Sequence, residues 1–60
     1  MSAFKTEMDM FFSRNCYSQK ERSRVKACLQ YRLAEESNDF VYAQAVAMQV
    51  AEGKIASPEE

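Results

Sequence analysis

The stretch from Phe40 to Ala51 constrains this chain more than any other part of it. Ten of its twelve residues are apolar, and only Gln44 and Gln49 interrupt them. No glycine or proline breaks the run, and its alanines and methionine favour helix. A helix that is apolar nearly all round must be covered on more than one side. Two helices before it are expected to supply only part of that cover. Ala43, Ala47 and Ala51 recur at intervals of four, which gives a smooth ridge that another backbone can approach closely. The expectation is therefore a homodimer, with Phe40, Ala43, Ala47, Val50 and Ala51 at the seam.

A chain of 60 residues is one domain at most and buries only about 60% of the surface its unfolded form exposes. Self-association is the expected remedy, because the other staples of small domains are missing. There is no histidine, and Cys16 and Cys28 lack the close spacing of a zinc site. Apolar residues make up 47% of the chain, with Gly53 and Pro58 as its only glycine and proline. That composition fits neither disorder nor a turn-rich β fold. No apolar run approaches the roughly 20 residues of a membrane span, and Glu7 and Asp9 interrupt the start where a signal peptide needs an apolar stretch. A cytoplasmic location is expected, with both thiols reduced.

Periodicity places Phe4, Met8, Phe11, Phe12 and Asn15 on one helical face, with Met10 off it. A strand is the competing reading, since Phe4, Met8, Met10 and Phe12 share one parity. The pattern stops at 15–18, where Ser18 and Glu21 have the spacing of a capping box. The helix that follows carries Val25, Cys28, Leu29 and Leu33 as a narrow stripe bordered by Arg22 and Arg32. A polar turn at 35–38 comes next, with Ser37 or Asn38 placed to cap the third helix and Asp39 suited to its positive end. Gly53 stands where a left-handed residue closes a helix, and Ile55 is positioned to fold back on the last turn. The predicted fold is all-α: helices over 3–16, 19–35 and 39–52, a single domain over 1–56, a solvated tail over 57–60, and a homodimeric bundle as the assembly.

Chemistry is sparse. Without histidine there is no ordinary proton shuttle near neutral pH and no Ser-His or Cys-His pair. A lone glycine cannot build a phosphate-cradling loop. Glu35 with Glu36, and Glu7 with Asp9, diverge on a helix, so solvated acidic ends are the better reading than a metal cage or a carboxylate pair. Cys16 near Arg14 fits a reactive thiol, although a half-buried packing residue fits it better. No catalytic residue, metal or cofactor is expected, and the chain reads as a non-enzyme.

Charge is uneven. Between Arg14 and Arg32 six cations face Glu21 alone, whereas the rest of the chain sets two lysines against eight carboxylates. Lys20, Arg22, Arg24, Lys26 and Arg32 form the candidate contact for a partner, either a protein with an acidic surface or nucleic acid; a solvated helix is the plain alternative. The leading functional expectation is a protein–protein interaction or regulatory module acting as a homodimer. A DNA-binding regulator is the alternative, either a helix-turn-helix reading bases with Gln19, Lys20, Ser23 and Lys26, or a ribbon-helix-helix presenting Lys5, Glu7 and Asp9. The acidic remainder weakens both, because it repels phosphate. A membrane-surface module using the Phe4 to Phe12 stripe ranks last, since its polar face is acidic.

Overall fold

Four helices, not three, are present in the computed structural model, which describes residues 3–54: α1 (Ala3–Arg14), α2 (Gln19–Ala27), α3 (Leu29–Glu36) and α4 (Phe40–Ala51). The expectations for Ile55 and for the 57–60 tail lie outside the described residues. Helix, not strand, is the state of residues 4–12. Phe4, Met8, Phe11 and Phe12 are all buried on one face, and Met10 is exposed. Asn15, expected on that face, is exposed and turns its Nδ2 back to the Phe11 carbonyl at 2.8 Å.

Side chains cap the starts of α2 and α4. Ser18 Oγ accepts from the Glu21 amide at 3.2 Å while the Glu21 carboxylate accepts from the Ser18 amide at 2.9 Å, completing the reciprocal cap expected from the sequence. Asp39, not Ser37 or Asn38, caps α4, its Oδ1 accepting from the Tyr42 amide at 3.0 Å.

The C-termini of α1, α3 and α4 share one device, in which a left-handed residue lets two successive amides reach back to orphan carbonyls. After α1, Cys16 (φ 57°) and Tyr17 donate to Ser13 and Phe12. After α3, Asn38 (φ 56°) and Asp39 donate to Glu35 and Ala34. After α4, Gly53 (φ 78°) and Lys54 donate to Val50 and Gln49. Asparagine and glycine suit the left-handed conformation. Cysteine does not.

The predicted second helix is broken at Cys28, whose ψ of 134° is extended. No glycine or proline marks the break. Its cause is packing. Across the break the buried positions are Val25, Cys28, Tyr31 and Ala34, a spacing of three that a continuous helix cannot hold on one face. Breaking at Cys28 rotates α3 so that the Tyr31 ring enters the core, 5.6 Å from Phe4 and stacked at 6.5 Å on Phe12. Leu29 and Leu33, expected on the buried stripe, are turned outward instead, at 62% and 51% exposure. A buried aromatic ring with two ring partners outweighs a leucine at the same place.

α4 packs against all three other helices. Ala43 and Ala47 are 0% exposed, and Val46 and Val50 are also buried. One chain by itself therefore buries the side of α4 that carries Ala43, Val46, Ala47 and Val50.

Two stability changes follow. Ala47→Glu places an unpaired carboxylate in a fully enclosed position and is expected to abolish cooperative thermal unfolding, as followed by circular dichroism. Cys16→Gly removes the left-handed penalty of roughly 1 to 2 kcal/mol, offset by the added backbone freedom of glycine. It is expected to stabilise by about 0.5 to 1 kcal/mol, read as a higher urea midpoint.

Candidate functional site

The five basic residues do not assemble into one surface. Arg22 donates from Nε to the Tyr17 carbonyl at 3.2 Å, and its guanidinium lies 5.7 Å from the Phe12 ring centre. Lys26 Nζ, one turn on, is 5.9 Å from the same ring. Arg24 is partly buried beside Tyr17, Val25, Val50 and Ala51. Lys20 is exposed on α2, and Arg32 is exposed on α3, beyond the break. Two of the five, Arg22 and Lys26, thus brace the Phe12 ring from outside. Cations over an aromatic face are attracted by its quadrupole, which gives these charges a structural role.

The proposed seam is also divided. Ala43, Ala47 and Val50 lie within the chain's own core, Phe40 packs partly buried against it, and only Ala51 is exposed. The ribbon-helix-helix arrangement lacks its ribbon, because Lys5, Glu7 and Asp9 are on α1.

A cleft of about 250 Å³ opens between α1, α2 and α3, lined by Phe4, Lys5, Met8, Asp9, Lys26, Tyr31 and Glu35. Burial, then the charges of Glu35 and Asp9, push the Tyr31 phenol up to about 12. Burial also raises Tyr17, helped by Glu21 and Glu52. Both phenols are therefore neutral at ordinary pH and serve as packing groups with a polar tip, not as bases. The Cys28 thiol is buried and donates to Gln30 Oε1 at 2.8 Å, whereas Cys16 is exposed. Among the described residues no group of three or more Cys, Asp or Glu is placed to hold a metal ion, and no helix is long and apolar enough to cross a membrane.

What the sequence reading missed is the outward side of α4. Val41, Ala45 and Met48 follow at i, i+4 and i+7, opposite the buried Ala43, Val46, Ala47 and Val50. Val41 is 69% exposed, Met48 46%, and Tyr42 flanks them, also exposed. From Phe40 to Ala51 no charged residue interrupts this side. The signal was present in the segment's all-round apolarity, which implied two apolar faces and left open which would be covered from within. No family of known proteins, no curated protein and no solved structure matches this chain.

The fold favours the neutral form of Tyr31. Its contribution to stability is therefore complete below pH 10, the phenol's ordinary value, and is lost as pH rises through about 12. Urea midpoints measured across this range should fall for the native chain, and the fall should be shallower in Tyr31→Phe.

Proposed function

We propose that this chain is a non-enzymatic protein–protein interaction module that works in the cytoplasm as a helical homodimer, without cofactor. Its outward α4 face is offered to an apolar groove on another protein. The observation that carries the reading is the neutral stripe of Val41, Ala45 and Met48 with Tyr42 beside it. Anchors at this spacing on one helix face are how an amphipathic helix seats in a groove, and methionine adapts its shape to the surface it meets. Contiguous apolar surface of this kind on so small a body favours an interaction role. Lys20 and Arg32, still exposed, suit acidic surface on that partner. The bracing of Phe12 by Arg22 and Lys26 favours this reading over DNA, because a phosphate-binding surface needs its cations free.

Sedimentation over a concentration series, with and without mixed-sequence DNA at low and moderate salt, tests the reading. A DNA-independent dimer is expected. A salt-sensitive shift onto DNA would overturn it in favour of a nucleic-acid regulator. Met48→Glu, at an exposed position, should leave helicity unchanged and weaken capture of a nuclease-resistant protein partner at least about tenfold, through the cost of desolvating a carboxylate in an apolar groove. Equal capture by both chains would remove the α4 face from the proposal.

A further inference from the structure

We propose that Cys28 is a hinge about which the α3–α4 hairpin exchanges between two copies of this chain, each hairpin completing the other copy's α1–α2 half. The proposal rests on the homodimer reading above and supplies its geometry.

Four observations lead to it. First, the break at Cys28 is imposed by tertiary packing and not by local sequence, for there is no glycine or proline between Gln19 and Glu36. Every residue of this span except Cys28 belongs to α2 or α3. Second, the bent form leaves α3 poorly started. Cys28 is its N-cap but makes no side-chain cap hydrogen bond, so helix geometry leaves the amides of Leu29, Gln30 and Tyr31 without a partner in the helix. A straight helix over 19–36 returns those amides to the carbonyls of Val25, Lys26 and Ala27.

Third, the bent form exposes Leu29 and Leu33, whereas straightening aligns them with Val25 and Cys28 in one stripe by helical projection. Fourth, the core divides cleanly at the hinge. Phe4, Met8, Phe11, Phe12 and Val25 stand before it, and Tyr31, Ala34, Ala43, Val46, Ala47 and Val50 after it.

The last point fixes the occupant. When α3–α4 swings away, the exposed α1–α2 half is complementary in shape to one hairpin already in solution, that of another copy. Exchange of identical elements is a low-cost route to a dimer, since the contacts between the hairpin and the α1–α2 half are recreated between chains while those inside the hairpin are kept. Ala43, Ala47 and Val50, enclosed within one chain in the bent form, then pack across the two copies, and the Phe4–Tyr31 and Phe12–Tyr31 ring pairs become intermolecular. Leu29 and Leu33 lie at the paired hinges, where the two straightened helices cover them.

The test uses two substitutions that act on the hinge in opposite directions. Leu29→Pro places proline at the first position of α3, where it is well tolerated. It also restricts the residue before it to the extended conformation that Cys28 already has, and it forbids a straight helix. Cys28→Ala raises the helix propensity of the hinge itself. Each full chain is refolded at high concentration and sedimented, with helicity checked by circular dichroism. The native chain should form a dimer that dissociates slowly on dilution, and Cys28→Ala should dimerise about tenfold more tightly, two hinges contributing per dimer. Leu29→Pro should be monomeric with native helicity. Should the proline chain lose its helicity, the alanine chain decides the matter, and a dimer no tighter than native would overturn exchange. Equal dimerisation of the native and a well-folded proline chain would also overturn it while leaving the homodimer standing. Monomers throughout would remove both.

Discussion

Phe12 is the constraint on which the rest of this small structure depends. Its ring is fully buried, stacked on Tyr31, tilted against Tyr17, edge-on to Phe11, and approached by the cations of Arg22 and Lys26. Its carbonyl accepts the Tyr17 amide that closes α1. One residue thus joins the end of α1, the turn, the flank of α2 and the first residues of α3. In a domain with so few core positions, the geometry of such a ring cluster decides which neighbours are allowed inside.

The demand of that cluster explains the departure from sequence periodicity. A helix running unbroken through Cys28 would turn leucines inward, and Tyr31 would miss both Phe4 and Phe12. The chain gives up helical continuity and a capped start to α3 in exchange for an aromatic core. Its cost is visible on the outside, as leucines left facing water.

How much could be read beforehand follows from whether a residue signals its own conformation. The buried face of α1, the reciprocal cap of Ser18 and Glu21, and the left-handed Gly53 were all legible, because each is a local pattern with a local cause. Asp39 took the cap expected of Ser37 or Asn38, since Asn38 was needed in the left-handed turn one residue earlier. Cys16 and Cys28 gave no warning. The first adopts a conformation that cysteine rarely favours, and the second breaks a helix by tertiary packing alone. The same ambiguity governed the functional reading: an all-round apolar α4 announced two faces, and only the arrangement of the other helices decided that Ala43 and Ala47 lie inside while Val41 and Met48 lie outside.

The three left-handed turn closures carry a kinetic consequence. Each ends its helix with hydrogen bonds that span five residues or fewer, so the boundaries of α1, α3 and α4 can form before any distant contact is made. The α3–α4 hairpin, joined by residues 37–39, closes a short loop at small entropic cost. Only the docking of α1 onto α4 must search across most of the chain. A topology so dominated by near neighbours belongs with the helical domains that fold in roughly microseconds to milliseconds, and its slowest step should be the arrival of the first helix on the last.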